Sequence, residues 1–196
     1  MSMVNQNSKY GFLQIVCIIF ATFLFLFTPL KGYSADIDSE LMQAVRDGNI
    51  TMVKELLVKG ADVNARGEFE STPLIIASML GNIECVQILL ANGAYIDSQC
   101  FRKCSPLMWA ADNGHIEVVN ALIKNGAAPN TQDLDGWTAL MKAIYRRHTE
   151  IVKVLVQNGA NVNSTNVGGY TALFIAEEIE SSPEIIRILK ESGAKK

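Results

Sequence analysis

Apolar residues recur along the chain in pairs of short stretches, each with the spacing of an amphipathic helix. In one pair the first stretch, residues 107–111, follows Ser105 and Pro106, which suit the cap and the first turn of a helix. Gly114 ends this stretch and Gly126 ends the next, since glycine suits the left-handed conformation of a helix stop. The second stretch forms one apolar stripe: Ile116, Val118, Val119, Leu122 and Ile123. The pattern predicts two helices joined by a short turn.

The same pattern returns every 33 residues, and three registers share that period. The first register is a Gly-Ala pair, found at Gly60, Gly93, Gly126 and Gly159, and again after 34 residues at Gly193. The second comprises Pro73, Pro106, Ala139 and Ala172, each between Thr or Ser and Leu. The third comprises Ala44, Ala77, Ala110, Ala143 and Ala176. Repeats of this length are supersecondary units that bury their apolar faces by stacking on their neighbours.

The residues inside the period resemble those of ankyrin repeats. Four segments are similar to the ankyrin opening motif T-P-L-H-x-A, namely 71–74, 105–107, 136–140 and 169–173. Residues 80–82 and 113–115 are similar to the turn between the two ankyrin helices, and residues 86–94 to the second helix and its stop. The resemblance covers Asp36 to the C-terminus. It implies an all-α ankyrin-repeat solenoid with short β-hairpin fingers.

The registers divide the domain, residues 36–196, into about five helix-turn-helix units. These units are expected at residues 38–66, 70–99, 103–132, 136–165 and 169–196. Unit one lacks the Thr-Pro-Leu motif and has a polar outer face, and unit five has acidic and serine residues where the others have small residues and glycine. Both are therefore expected to cap the stack.

Residues 1–35 lie outside the repeat and predict export. Lys9 is followed by residues 11–27, which are apolar except for Gln14 and Thr22. Small residues precede Ala35, so these residues are predicted to be a signal peptide cut near position 34 or 35. Residues 11–30 are also nearly long enough for an uncleaved membrane anchor. Either outcome places the repeats outside the cytoplasm, in the periplasm or secreted, as expected of a bacterial exported protein.

The charge of the repeat domain argues against nucleic-acid binding. Removing residues 1–35 removes Lys9 and Lys31, and leaves 15 basic and 20 acidic residues with a net charge of −5. Nucleic acids select basic surfaces.

The residues that most often carry chemistry do not form a catalytic pattern. His115 and His148 are 33 residues apart and occupy the same repeat position, so a structural role is predicted for both. No phosphate-binding loop, zinc-ligand spacing or nucleophile motif is present in the sequence. We therefore expect no catalytic, cofactor or metal site.

Cys100 and Cys104 flank one predicted finger, and the sequence allows either a disulfide or two free thiols there. Residues four apart across a tight turn can come within disulfide range, and an oxidising compartment would favour the bond. Cys85 falls on an apolar helix face and is expected to be a buried thiol. Arg147 replaces the turn glycine of unit four, either through ordinary drift or as a basic spot.

The family resemblance implies binding of a protein partner by the finger tips and by exposed residues of the first helices. By repeat phase, the tip positions are Phe69, Phe101, Arg102, Leu134, Trp137 and Tyr170. The first-helix positions are Met79, Asp112, Asn113, Tyr145 and Arg146. Tyr, Trp and Arg are favoured as interface anchors, whereas Trp109 is expected to pack internally. Two alternative roles remain open: an accessory that protects or assembles a redox enzyme, and a secreted effector acting on host proteins.

Overall fold

A computed structural model describes residues 31–195, with side chains from residue 36 onward. The chain divides into two units at Asp36, and residues 37–196 form the second unit. The α-helices of the described residues are α1 Lys31–Arg46, α2 Ile50–Val58, α3 Pro73–Leu80, α4 Ile83–Ala91, α5 Pro106–Asn113, α6 Ile116–Lys124, α7 Ala139–Tyr145, α8 Thr149–Gln157, α9 Ala172–Glu178 and α10 Pro183–Glu191. None of these helices has the length and apolar character needed to span a membrane. Most of the predicted leader and the whole anchor segment, residues 11–30, lie outside the described residues.

A hydroxyl side chain starts the first helix of each of four units. The hydroxyl groups of Thr72, Ser105, Thr138 and Thr171 accept hydrogen bonds from the backbone N–H three residues on, at 3.3, 3.3, 3.2 and 3.2 Å. Pro73 and Pro106 follow two of these caps. The first N–H groups of a helix have no partner within it, so a hydroxyl acceptor fixes where the helix begins.

The helices form two layers of the repeat stack. The first helices α3, α5, α7 and α9 pack on one another in order, and so do the second helices α2, α4, α6, α8 and α10. The buried side chains form one continuous core that runs from Ile37 to Leu189. Five helix pairs therefore stack as the sequence period predicts.

The alanine register is buried in the core of the stack. Ala77, Ala110, Ala143 and Ala176 are each 0% exposed, and Ala44 is 5% exposed. Protein interiors are close-packed, so a larger side chain at such a position must displace its neighbours.

Ala110→Leu is expected to lower the free energy of unfolding by ~1–3 kcal/mol, because extra methylenes in a well-packed layer force side chains out of their rotamers. The measurement is the denaturant midpoint of the full chain. Ala91→Leu, the same change at an exposed helix position, is the control and should leave the midpoint nearly unchanged. An equal response of the two variants would contradict the packing argument.

The fingers differ from the prediction, because the described residues contain no β-strand. One isolated antiparallel bridge joins Thr165 and Thr171. Each finger is instead a tight turn whose two ends are joined by a backbone hydrogen bond. Those bonds run from Cys100 N to Cys104 O at 3.1 Å, Asp133 N to Trp137 O at 3.0 Å and Asn166 N to Tyr170 O at 3.1 Å. So short a loop leaves no room for a ladder of strand hydrogen bonds.

Neighbouring finger turns are bonded to one another through their backbones. These bonds run from Phe101 N to Phe69 O at 2.9 Å, Leu134 N to Arg102 O at 3.1 Å and Val167 N to Asp135 O at 3.0 Å. The tips therefore form one continuous row along the stack, with each tip held by the one before it.

Candidate functional site

The row of finger tips exposes one large apolar side chain per unit. Phe69 is 78% exposed, Phe101 70%, Leu134 49% and Val167 79%. A folded chain leaves single apolar residues at its surface without consequence, but a contiguous set marks an interaction surface. Phe101, Leu134 and Val167 occupy the same position in successive turns, and Phe69 lies one residue past that position in the turn before them, so the four form one set.

A first pocket lies between the fingers of units two and three and the helices behind them. Its volume is about 490 Å³. Phe69 and Phe101 border it at the tips, and Ile76, Met79 and Trp109 border it on α3 and α5. Arg46, Glu68, Ser71, Cys100 and Arg102 complete the lining. This pocket brings together four predicted residues from units two and three, Phe69, Met79, Phe101 and Arg102.

A second pocket of about 340 Å³ lies one unit further along the stack. It contains five of the predicted residues, namely Arg102, Asp112, Trp137, Tyr145 and Arg146. Cys104, Met108, Trp109, Asp133, Asp135 and Lys142 form the rest of its lining. Arg102 and Trp109 border both pockets, so the two are neighbours across the finger of unit three.

Every acidic residue of the second pocket has a basic partner. Lys142 Nζ lies 2.8 Å from Asp133 Oδ2, and Arg146 Nε lies 2.8 Å from Asp112 Oδ1. The third pair is Arg102 with Asp135. The bond to Asp112 raises the pKa of Arg146 above its ordinary value. The pocket is thus lined by neutralised pairs rather than by a free charge.

Two aromatic rings of the second pocket, Trp137 and Tyr145, make cation–π contacts with basic side chains of the same chain. Trp137 and Tyr145 meet edge to face with ring centroids 5.6 Å apart. Lys142 Nζ lies 6.0 Å from the Trp137 ring centre, and the Arg146 guanidinium lies 5.8 Å from that of Tyr145. Cations over aromatic faces are attracted by the ring quadrupole, so these contacts hold the four side chains in one arrangement.

Three predicted site residues lie outside both pockets. Leu134 is an exposed tip. Asn113 donates its side-chain N–H to the Trp109 carbonyl at 2.9 Å, a bond within its own helix. Tyr170 stacks on Phe174 with centroids 4.6 Å apart and planes inclined by 5°, which places it in an aromatic pair of unit five.

Trp109 is the residue that the sequence reading missed. It was expected to pack internally, but it is only partly buried and borders both pockets. Lys142 occupies the same repeat position one unit later, and it also lines a pocket. A lysine in that register was the signal available in the sequence, because a position that accepts lysine faces water in at least one unit.

Cys100 and Cys104 are free thiols in this structure. Cys104 is buried, and its Sγ lies 3.8 Å from Asp133 Oδ2. Burial raises the pKa of the Cys104 thiol to about 12. Cys85 is 0% exposed, as expected, and burial also raises its pKa. The hydrogen bond from Cys100 N to Cys104 O joins the two ends of this turn.

Cys100 is expected to react with iodoacetamide at pH 8 far faster than Cys104 or Cys85. The thiolate is the nucleophile, and both buried thiols remain protonated well above pH 8, whereas Cys100 is partly exposed. The measurement is peptide mapping of native protein after timed labelling, with denatured protein as the control in which all three react. Equal labelling of Cys100 and Cys104 in native protein would contradict the placement of Cys104.

The ring of each histidine contacts a backbone carbonyl oxygen of the preceding unit. Nε2 of His115 lies 3.1 Å from the Met79 carbonyl oxygen, and Nε2 of His148 lies 3.3 Å from the Asp112 carbonyl oxygen. Each ring also covers the turn glycine of the preceding unit, Gly81 or Gly114. Repeat phase and hydrogen bonding together account for both residues without a catalytic role.

Arg147 keeps the left-handed turn that glycine makes elsewhere, with φ 62°. Unit five places Ser181 where units three and four place histidine, so no ring covers the Arg147 turn. The Arg147 guanidinium donates instead to the Ile179 carbonyl. The substitution is therefore compatible with the turn because the neighbouring unit changed with it.

Within the described residues, no group of three or more His, Cys, Asp or Glu side chains is placed to hold a metal ion. The described helices form a repeat scaffold with two pockets beside its finger turns. A family model described as ankyrin repeats in three copies matches residues 41–133 and 107–196. The chain belongs to the ankyrin repeat family. A comparison with curated proteins finds no match.

Proposed function

We propose that this protein is an exported, non-catalytic module that binds a protein partner through its finger tips and first helices. Ankyrin repeats are in general protein–protein interaction modules. The observation that carries the proposal for this chain is the row of exposed apolar tips beside two lined pockets. Of the nine exposed large hydrophobic residues in the described part of the chain, seven lie on these fingers or on the first helices behind them: Phe69, Leu80, Phe101, Leu134, Tyr145, Val167 and Tyr170.

The aromatic and arginine residues of this surface suit the centre of a protein interface. Such interfaces depend on a few Trp, Tyr and Arg anchors in well-packed positions. Trp137, Tyr145 and Arg146 form one such group, held together by the ring contact and the ion pairs described above. Because these side chains are already ordered, little rotamer entropy is lost when a partner binds.

Capture of partners with the intact protein from its own compartment tests this proposal. The double variant Phe101→Ala with Trp137→Ala is expected to lose most of the captured partner, since it removes one anchor from each pocket. The control is Val58→Ala with Tyr95→Ala, two exposed residues that line neither pocket. Circular dichroism verifies that both variants fold. Equal capture of the partner by the two double variants would contradict the proposal.

Export is the second part of the proposal, and it rests on the sequence of residues 1–35. Intact mass of protein recovered from the producing cell is expected to begin near Ala35 or Asp36. A chain that retains Met1 and stays with membranes would mean that residues 11–30 anchor it. A chain that retains Met1 in the cytosol would show that the export proposal is wrong.

A further inference from the structure

The finger of unit three, residues 100–104, lacks a side-chain acceptor that the two later fingers have. Those fingers begin with Asp133 and Asn166, whose side chains accept hydrogen bonds from the N–H groups of Trp137 at 2.8 Å and Tyr170 at 3.0 Å. The finger of unit three begins instead with Cys100, and a thiol is only a weak acceptor. One of the contacts that tie the ends of a finger together is therefore replaced by sulfur.

The same finger also lacks the turn glycine of the later fingers. Gly136 and Gly169 both have φ 77°, and Lys103 has φ 59° at the same repeat position. This left-handed conformation is unfavourable for a residue that has a Cβ. The turn of unit three therefore differs from the later turns in two unfavourable ways, and its two ends are the only ones occupied by a pair of cysteines, Cys100 and Cys104.

The backbone of the turn holds these two cysteines opposite each other. The Cys100 N–H donates to the Cys104 carbonyl at 3.1 Å, and the Lys103 N–H donates to the Cys100 carbonyl at 2.8 Å. Residues that face each other in a hydrogen-bonded antiparallel pair have Cα atoms about 5.5 Å apart. A disulfide spans Cα separations of about 4.4–6.8 Å. The turn therefore presents the two cysteines at a separation that a disulfide can bridge.

The two thiols differ in exposure, and this difference sets the order in which they react. Cys100 is partly exposed, whereas Cys104 is 5% exposed. Burial, the main cause, raises the pKa of the Cys104 thiol to about 12, and the neighbouring Cys100 side chain contributes in the same direction. Cys104 Sγ lies 3.8 Å from Asp133 Oδ2, which accepts its S–H. An oxidant therefore reaches Cys100 first, and Cys104 is held beside it as the second thiol.

We propose that Cys100 and Cys104 are a reversible redox pair, which a soluble disulfide oxidises to a bond that closes and stabilises the finger of unit three. The Cys100 thiolate attacks one sulfur of the soluble disulfide, which forms a mixed disulfide and releases one thiol. The Cys104 sulfur then attacks Cys100 Sγ, and the second thiol leaves with the proton that Cys104 gives up. Two electrons and two protons pass to the soluble disulfide, and an excess of dithiol reverses both steps.

The bond would fix the tip of this finger in one shape. Phe101, which is 70% exposed, donates its backbone N–H to the Phe69 carbonyl at 2.9 Å, and the Leu134 N–H donates to the Arg102 carbonyl at 3.1 Å. Order in this turn therefore reaches the tips on both sides of it. That a partner meets these tips rests on the proposed function. The redox chemistry does not, so its tests need no partner and fail or succeed independently of that function.

Oxidised glutathione tests the chemistry on the full chain carrying Cys17→Ser, which removes the thiol of the N-terminal segment. Mass spectrometry of non-reduced peptides should show a link between Cys100 and Cys104, and the intact mass should fall by the two thiol hydrogens. Cys85 should remain a free thiol because it is buried. Dithiothreitol should restore the reduced chain. If both thiols stay reduced, or if a glutathione adduct persists on Cys100, the proposal is wrong.

Two serine variants in the same background examine the order of attack. Ser71 occupies the Cys104 position one unit earlier, so Cys104→Ser suits the repeat. This variant should accumulate a mixed disulfide of glutathione on Cys100, because no second thiol displaces it. Cys100→Ser should leave Cys104 unmodified over the same time. The control, Cys85→Ala, should form the link as its parent does. Equal modification of the two serine variants would contradict the assigned roles.

Amide hydrogen exchange, measured by NMR on chain labelled with ¹⁵N, tests whether the bond stabilises the finger. The Lys103 N–H should exchange about tenfold more slowly in the oxidised chain, since a link across so short a turn removes most of its open conformations. The matched control is the Gly169 N–H, which donates to the Asn166 carbonyl at 2.9 Å in the finger of unit five. It should exchange equally in both forms. An unchanged rate at Lys103 would overturn the claim that oxidation stabilises this finger.

Discussion

Gly81→Ala is expected to lower the free energy of unfolding by ~2–5 kcal/mol. Gly81 has φ +74°, and a Cβ there would lie 2.4 Å from His115 Nδ1 and 2.6 Å from Cε1. The left-handed conformation alone costs a non-glycine residue about 1–2 kcal/mol, and the overlap adds the ~1–3 kcal/mol of an overpacked site. The His115 ring cannot withdraw without losing its contact with the Met79 carbonyl oxygen at 3.1 Å. Chemical unfolding of the full chain gives the measurement.

Gly93→Ala is the matched control, because Gly93 has φ +85° and nothing within 4 Å of a built Cβ. It should show the conformational cost alone, ~1–2 kcal/mol. Adding His115→Ala to Gly81→Ala should remove most of the difference, since the ring that obstructs the methyl is gone, and a double-mutant cycle measures that coupling. If Gly81→Ala and Gly93→Ala lost equal stability, the histidine contact would have no energetic role.

Asp133→Ala is expected to lower the free energy of unfolding by ~2–4 kcal/mol, an unusually large effect for a finger residue. The Asp133 carboxylate is 4% exposed and accepts from the backbone N–H groups of Asp135 at 3.0 Å and Trp137 at 2.8 Å. It also pairs with Lys142 at 2.8 Å. Removing it leaves two donors and a partly buried ammonium without their acceptor. Breaking a buried pair costs 3–5 kcal/mol, and we expect less because Lys142 is 19% exposed.

Asn166→Ala is the control for this change, at the same position one unit later. The Asn166 side chain accepts one backbone bond, from Tyr170 N at 3.0 Å, and no ion pair is formed there. Its loss should lower the free energy of unfolding by about 1 kcal/mol, the value of one net hydrogen bond. The denaturant midpoints of the two variants decide the comparison. Similar losses would show that the Lys142 pair does not stabilise the finger.

The sequence predicted the fold well because the features that define it are local and repeated. A cap such as Thr72 accepts a bond within its own helical turn, and a turn glycine such as Gly81 adopts the left-handed conformation that ends its own helix. An alanine such as Ala110 recurs at the same position in every unit. Five successive copies of such signals reinforce one another, so the period alone indicated a stack of helix pairs. The family model and the ten described helices confirm this part of the prediction.

The sequence predicted the shape of the finger turns and the lining of the two pockets less completely, because neighbouring units contribute to both. Repeat phase identified Phe69, Phe101 and Trp137 as surface positions. It did not show that Trp109 borders both pockets, or that Asp133 is a buried acceptor in the finger. It also predicted strands where the structure has short turns joined tip to tip. The tip-to-tip bonds join residues 32 positions apart, whereas Asp133 accepts from two N–H groups of its own finger. A periodic pattern specifies neither set of contacts.

By itself, then, the sequence determined that this protein is a stack of ankyrin repeats, because each unit carries its own start, stop and packing residues. Only the tertiary structure decided which of its side chains line the two pockets. It also decided distances between units, such as that between Arg146 and Asp112, which lie in neighbouring units, and that between Leu134 N and Arg102 O, which lie in neighbouring fingers. Such distances follow from how neighbouring units pack, and packing is fixed only when the whole stack has formed.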